Sequence, residues 1–177
     1  MLKFVRNNLN SLQIIKERNH IVNNYGKVEK RLEALGIQLD SPNKPAGNYV
    51  SYSMEPPYLY LSGTTPKVNG VLAFKGKVGL DVTKEEGFLA ARQCIINHLS
   101  TLKSALGDLD RVVGIIKMNG FIHVHPDFYD LPYVLNGASD LLVDIFGNAG
   151  IHARSAIGAA ALPGGAAVEI ELIVRYE

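Results

Sequence analysis

The chain has 177 residues, of which 47% are hydrophobic and 20% are charged, and its formal net charge at neutral pH is +1. This length suits one domain with a hydrophobic core, and the near-neutral charge gives no general electrostatic attraction to nucleic acid. A single cysteine, Cys94, excludes a disulfide framework and is typical of a reducing compartment. We expect its thiol to be a small buried hydrophobic group. No apolar run reaches the roughly 20 residues of a membrane-spanning helix.

Residues 1–26 differ in composition from the rest of the chain. They are rich in asparagine and basic side chains, Glu17 is their only acid, and their apolar residues recur roughly at helical spacing. Organelle transit peptides share these traits, but this segment lacks their alanine and serine enrichment. We favour an N-terminal extension over 1–26, flexible or docked on a partner, and a single domain over 27–177. The expected location is cytoplasmic, or mitochondrial if the extension is a transit peptide.

The first half of the domain is predicted to contain a short helix and a β-hairpin. Valine and leucine at helical spacing mark the helix, and alternating tyrosine and leucine mark the return strand of the hairpin. The predicted bounds are a helix over 27–35 that ends at Gly36, strands over 49–54 and 58–62 around a Glu-Pro-Pro turn, and a weaker strand over 71–74.

Two long amphipathic helices are predicted in the second half. Thr83 and Glu86 have the spacing of a capping box at the start of the first helix, and Gly107 ends it. A β-branched apolar run over 112–124 is predicted to be a buried strand. The second helix is predicted from Asp127 to Gly147.

The C-terminal segment is predicted to form a second β-hairpin. Its first strand covers 154–162, and a Pro-Gly-Gly turn interrupts the chain. The second strand alternates strictly, with apolar residues on one side and Glu169, Glu171 and Arg175 on the other. The order of elements predicts an α+β two-layer sandwich, in which one mixed sheet carries both long helices on one face. The other face, rich in tyrosine, serine and alanine, suits contact between subunits.

Few residues carry obvious chemistry. Arg154 lies among small residues, and its guanidinium suits a planar carboxylate or phosphate, although an arginine solvating a sheet edge is the simpler explanation. His123 and His125, two apart on a strand, could share a metal, but no third ligand is adjacent and we favour surface or interface histidines. His98, on the first long helix, is expected to be a boundary residue. A phosphate-binding glycine loop and a nucleophile elbow are both missing.

Six short stretches together match the pattern of a known family. They are Ala-Gly-Asn-Tyr-Val over 46–50, Leu-Tyr-Leu-Ser-Gly over 59–63, Gly-Asp-Leu-Asp-Arg-Val-Val over 107–113, Ala-Arg-Ser-Ala over 153–156, Leu-Pro at 162–163 and Val-Glu-Ile-Glu over 168–171. This combination resembles the Rid (YjgF-like) family, whose best-known members are reactive-intermediate imine deaminases and whose other members include proteins named endoribonuclease L-PSP. The resemblance extends from Lys27 to the C-terminus and is closest to a longer subgroup.

The resemblance implies a chorismate-mutase-like fold and a homotrimer with a barrel-like centre and a site in each cleft between subunits. It implies that Arg154 binds the substrate carboxylate and that Glu169 orients the attacking water. It places further substrate contacts at Tyr49, Ser62, Gly63 and Ala156, the last standing where family members often have cysteine. The chain also departs from the family pattern at Asn48 and His152, where proline is usual.

The reaction that the resemblance implies is hydrolysis of a 2-enamine or 2-imine to a 2-oxoacid and ammonia. An imine is already electrophilic, so placement beside a water and a carboxylate base would be enough, with no metal and no organic cofactor. The alternative is a non-catalytic trimer that binds a carboxylate metabolite or a protein partner in the same cleft. Ribonuclease activity ranks last, because the chain is nearly neutral and has no basic-aromatic stripe.

Overall fold

The computed structural model describes residues 26–177, so the predicted N-terminal extension lies outside it except for Gly26. The α-helices of this part are α1 (Lys27–Ala34), α2 (Lys84–Leu106) and α3 (Leu131–Phe146). The strands are β1 (Tyr52–Glu55), β2 (Tyr58–Thr64), β3 (Lys67–Val68), β4 (Val71–Leu72), β5 (Val112–His123), β6 (Ala153–Ala159) and β7 (Val168–Tyr176). Within the described residues, no helix combines the length and apolar character needed to cross a bilayer.

Five strands form one mixed sheet in the order β1–β2–β7–β5–β6, and β3 and β4 form a separate hairpin. Within the large sheet β5 and β6 are parallel, and the other neighbours are antiparallel. Helices α2 and α3 pack on one face, where the core includes Ile95 and Leu99 from α2 and Leu135 and Leu142 from α3. This is the predicted α+β sandwich.

The predicted C-terminal hairpin is wrong. Strand β6 pairs with β5, where Arg154 lies opposite Met118, and β7 lies on the other side of β5. A Pro-Gly-Gly turn indicates that the chain reverses, but not which strand becomes the neighbour. The apolar side of β7 is almost fully buried, so this strand gains most from a central place between β2 and β5. The small residues of β6 suit the edge position that remains.

Some element ends were predicted correctly, whereas β1 begins at Tyr52 and not at 49, and β6 ends at Ala159 and not at 162. Thr83 and Glu86 form the expected capping box of α2, and Gly107 ends the helix. Helix α3 begins at Leu131 and not at Asp127, because the preceding residues form a turn in which Phe128 N donates to His125 O at 3.0 Å. Cys94 is fully buried, as expected, and burial raises the pKa of its thiol well above the ordinary value.

Helix α1 is attached to the rest of the domain through its N-terminus. The Asp110 carboxylate accepts hydrogen bonds from the backbone N–H groups of Lys27 and Val28, at 2.8 and 2.9 Å. Glu29, Asp108 and Asp110 are the group of three potential metal ligands found in residues 26–177. Since the oxygens of Asp110 already cap the helix, this cluster has a structural explanation.

The contact between α2 and α3 depends on a glycine. A Cβ atom at Gly137 would lie 2.0 Å from the carbonyl oxygen of Phe88, which belongs to the backbone of α2 and cannot move aside easily. We predict that Gly137→Ala lowers the free energy of unfolding by about 1–3 kcal/mol, as overpacking does. Helix propensity alone predicts the opposite sign, a gain of about 1 kcal/mol.

Urea unfolding of Gly137→Ala beside wild type measures this change. Asp140→Ala, at an exposed position of the same helix, serves as control and should stay within about 0.5 kcal/mol of wild type. A stabilised Gly137→Ala variant would show that the helices can separate at no cost.

Candidate functional site

A cleft of about 120 Å³ opens beside the place where β2 separates from β7. The pairing of these strands shifts register between Leu61 and Thr64, which leaves Ser62 and Gly63 outside the regular ladder. The connector before β1 and one side of α2 complete the walls. The cleft brings together four of the residues singled out from the sequence, namely Tyr49, Ser62, Gly63 and Glu169.

Glu169 supplies the carboxylate of the cleft. It lies on β7 between the buried residues Val168 and Ile170, and its own side chain emerges on the opposite face of the sheet. Half-burial raises the pKa of this carboxyl, and the negative charge of Glu171 raises it further. No residue within 26–177 donates a hydrogen bond to it, so its oxygens remain available to a ligand or a water.

Gly63 allows this carboxylate to lie directly against β2. A Cβ atom at Gly63 would lie 2.0 Å from Glu169 Oε1, so any larger residue would occupy the place of the carboxyl group. The absence of a side chain thus positions Glu169 at the cleft wall, beside the backbone of the irregular stretch of β2.

Tyr49 and Ser62 belong to the wall formed by the connector. The Ser62 hydroxyl donates to Val50 O at 2.7 Å, and the backbone N–H of Ser62 donates to Ser51 O at 3.0 Å, which joins the connector to β2. The Tyr49 hydroxyl accepts from Ala46 N at 3.3 Å, and 54% of the residue is exposed. Ser62 therefore shapes the cleft, and Tyr49 leaves an aromatic surface open to a ligand or to another chain.

His98 is a cleft residue that is buried more deeply than its sequence pattern predicts. It was expected to be a boundary residue on α2, but it is 1% exposed and its Nε2 lies 2.8 Å from Ile170 O. A carbonyl oxygen can only accept, so Nε2 carries the proton. Burial lowers the pKa of His98 to about 4 despite that bond, so the ring is neutral at pH 7. A polar residue within the apolar stripe of α2, next to Ile95 and Leu99, was the available sequence signal.

Two lysines connect this cleft with a neighbouring one. Lys44 and Lys67 line both the first cleft and an adjacent open cavity of about 490 Å³ that also includes Asn97. Asn97 donates to Thr65 O and Lys67 O at 2.9 and 3.0 Å and so holds this stretch of chain against α2. The two ammonium groups favour anionic ligands at the cleft mouth. Neither lysine belongs to a periodic pattern in the sequence.

Arg154 and Ala156 do not line this cleft. They lie on the edge strand β6, on the face of the sheet that α3 covers, and the Arg154 guanidinium donates to Ser139 Oγ at 2.9 Å and to Pro132 O at 3.3 Å. Across β5, Arg154 is level with Met118 and Glu169 with Phe121. Met118 and Phe121 are an odd number of residues apart on β5, so their side chains point to opposite faces of the sheet. Within one protomer, Arg154 and Glu169 therefore also point to opposite faces.

The histidine pair at the end of β5 gains no third ligand from the described part of the fold. His123 and His125 belong to no group of three potential metal ligands within residues 26–177. His125 Nδ1 accepts from Asp127 N at 3.3 Å, which assigns it to the turn before α3. His123 Nδ1 is buried and has no hydrogen-bond partner in the described part of the chain.

Comparisons with known proteins agree on one family. Residues 29–174 match the family model described as "YjgF/chorismate mutase-like, putative endoribonuclease". Protein TCP17 of Trypanosoma cruzi is 45% identical over 151 residues, which cover 85% of this chain and 94% of that protein. The crystal structure of Atu1372 from Agrobacterium tumefaciens, a protein of unknown function, has a TM-score of 0.84 at 38% identity and covers 91% of this chain and 99% of its own. A "putative endoribonuclease" from Shewanella oneidensis has a TM-score of 0.82 at 36% identity, over 84% and 98% of the two chains.

We predict that Gly63→Ala displaces the Glu169 carboxyl into solvent at little cost in stability, because the clashing atoms lie at the end of a flexible side chain. Titration of Glu169 by carboxyl ¹³C NMR should then give a lower pKa than in wild type, since partial burial no longer disfavours the charged form. Gly47→Ala is the matched control, because its Cβ would meet the Tyr49 ring at an ordinary 3.6 Å. An unchanged Glu169 pKa in Gly63→Ala would contradict the close contact.

We predict that His98 makes stability depend on pH. Its folded pKa of about 4 lies below the ordinary 6.5, so its contribution is fully present above pH 6.5 and is lost as the pH falls towards 4. Urea midpoints at pH 7 and pH 4.5 should differ more in wild type than in His98→Gln. His125→Gln, at a partly exposed histidine, should retain the wild-type difference. Equal pH dependence in wild type and His98→Gln would show that His98 is not buried as a neutral ring.

Proposed function

The chain belongs to the YjgF/chorismate mutase-like family, and on this premise we propose that it hydrolyses reactive 2-enamine or 2-imine intermediates to 2-oxoacids and ammonia. The observation that carries this proposal is the Glu169 carboxylate. It is half-buried in a cleft, lies against the backbone of Gly63 and has a raised pKa without a hydrogen-bond partner in the described chain. A carboxylate in this state is a stronger base than an exposed one and can receive a proton from water.

The proposed reaction needs one base and no cofactor. Glu169 takes a proton from a water molecule whose oxygen bonds to the imine carbon, while the electrons of the C=N double bond move to nitrogen. The protonated carboxyl returns this proton to nitrogen, which gives a carbinolamine. The carboxylate then takes the hydroxyl proton of the carbinolamine and passes it to the amine, so the C–N bond breaks and ammonia leaves as the carbonyl forms. The raised pKa of Glu169 supports the removal of a proton from water, because it makes the carboxylate a better base.

The substrate carboxylate requires a second group, for which we propose Arg154 of a neighbouring subunit. Arg154 and Glu169 lie on opposite faces of the sheet in one protomer, so a shared ligand would need two copies of the chain. The sheet face without helices supports association, since it presents partly exposed aromatic and aliphatic groups at Tyr60, Phe121 and Ile157. A homotrimer with three clefts between subunits is the assembly we propose, with Tyr49, Ser62, Gly63 and Ala156 as further substrate contacts.

A non-catalytic role in the same cleft is the second candidate. Lys44 and Lys67 at the cleft mouth favour an anionic ligand whether or not a reaction follows. The two roles differ in their dependence on Glu169, since a binding module needs cations for its ligand but has no use for a half-buried base. Endoribonuclease activity, which the family description includes, ranks behind both because the net charge of +1 gives little attraction to RNA.

The deciding experiment measures ammonia release from a 2-iminoacid generated in place by an amino-acid oxidase. We predict that wild type accelerates release, that Glu169→Gln lowers kcat by about 10²-fold or more, and that Arg154→Ala mainly raises KM. Glu171→Gln, on the same strand and face, should retain most of the activity. Arg175→Ala, an exposed arginine of β7, is the control for Arg154.

The rate of ammonia release by wild type decides between the two roles. If wild type does not exceed the spontaneous rate for small, branched and aromatic imines, the deaminase proposal is wrong and the binding role replaces it. Arg154→Ala should keep the oligomer and melting temperature of wild type, because an arginine that binds ligand is not part of the core. Dissociation of that variant would show that Arg154 holds the subunits together and that its assignment to substrate binding is wrong.

A further inference from the structure

A chain of hydrogen bonds connects Arg154 to the helix layer. Arg154 Nη1 donates to Ser139 Oγ at 2.9 Å, and the same Oγ lies 3.1 Å from His152 Nε2. On the other side of the ring, His152 Nδ1 lies 2.6 Å from Gly150 O. The chain thus joins β6, α3 and the turn between them.

The direction of each bond follows from which groups can donate. Gly150 O can only accept, so Nδ1 of His152 carries a proton and Nε2 of the neutral ring is an acceptor. The Arg154 guanidinium can only donate, so Ser139 Oγ accepts from it. The Ser139 hydroxyl proton then has an acceptor in His152 Nε2. One set of proton positions satisfies all three contacts.

We propose that Ser139 and His152 are positioning residues, which hold the Arg154 guanidinium in one orientation so that its remaining donors face the carboxylate of a ligand. Two donors are engaged, one by Ser139 and one by Pro132 O. One N–H on each terminal nitrogen and the N–H on Nε remain for a ligand. The proposal rests on the role of Arg154 in the proposed function.

Orientation matters because a free arginine side chain samples many rotamers. A ligand that has to immobilise such a side chain loses affinity, whereas a guanidinium already held in place avoids this loss. Ser139 lies on a regular helix and His152 directly before β6, so both are supported by rigid elements. Neither residue contacts the reacting atoms, and each acts through Arg154.

Two matched pairs of variants test the chain of hydrogen bonds. Ser139→Ala removes the hydroxyl, whereas Ser139→Thr retains it. In His152→Asn, the side-chain amide can take the place of Nδ1 opposite Gly150 O but is too short to reach Ser139. In His152→Gln, the longer amide can take the place of Nε2 and bind the Ser139 hydroxyl. We expect the first member of each pair to release Arg154 and the second to hold it.

The first readout is the reactivity of Arg154 towards phenylglyoxal in the full-length protein, followed by mass spectrometry of the peptide that contains Arg154. It requires no catalytic activity. Modification of Arg154 should be several-fold faster in Ser139→Ala and His152→Asn than in wild type, Ser139→Thr and His152→Gln. Unchanged reactivity in Ser139→Ala and His152→Asn would overturn the proposal, even if the protein is an active deaminase.

The second readout is the kinetics of 2-iminoacid hydrolysis. Ser139→Ala and His152→Asn should raise KM by about tenfold, as the loss of one bond to a charged group would, with kcat within about twofold of wild type. Ser139→Thr and His152→Gln should restore the wild-type KM. A fully active wild type whose KM is unchanged in all four variants would overturn the positioning role. If wild type is inactive, the deaminase proposal fails, and the phenylglyoxal result decides the orientation of Arg154 by itself.

Discussion

The structure depends on the two-residue repeat of β7. Every second residue from Val168 to Val174 is almost fully buried on the face that α2 covers, and this burial secures the central place of the strand. The same repeat sends Glu169 to the other face, where it meets Gly63 and the cleft. One strand therefore provides both the core and the carboxylate, and a shift of one residue in its register would bury the acids and expose the core.

The cleft combines two titratable groups whose pKa values are shifted in opposite directions. Burial raises the pKa of Glu169 and lowers that of His98, because in both cases the low-polarity surroundings disfavour the charge. The result is a carboxylate of increased basicity close to a ring that stays neutral. Lys44 and Lys67 at the mouth add positive charge. This arrangement of charges suits a small anion whose reactive group enters the cleft.

The two residues of greatest chemical interest lie on different faces of the sheet. Glu169 faces the open side, and Arg154 is held on the helix side by Ser139 and Pro132. A reaction that uses both has to be shared between copies of the chain, which makes catalysis depend on assembly in our proposal. The chain of hydrogen bonds behind Arg154 would then prepare one subunit to serve the cleft of another.

The sequence by itself determined the elements whose signals are local. The alternation of β7, the capping box of Thr83 and Glu86 and the apolar stripes of α2 and α3 each follow from repeats within a few residues, and with them the α+β class. The family resemblance added the grouping of Tyr49, Ser62, Gly63 and Glu169. Only the tertiary structure decided that β6 lies beside β5, that His98 is buried in the cleft and that Arg154 points away from Glu169. These features depend on which strands become neighbours, and a turn sequence or a single polar residue does not encode that choice.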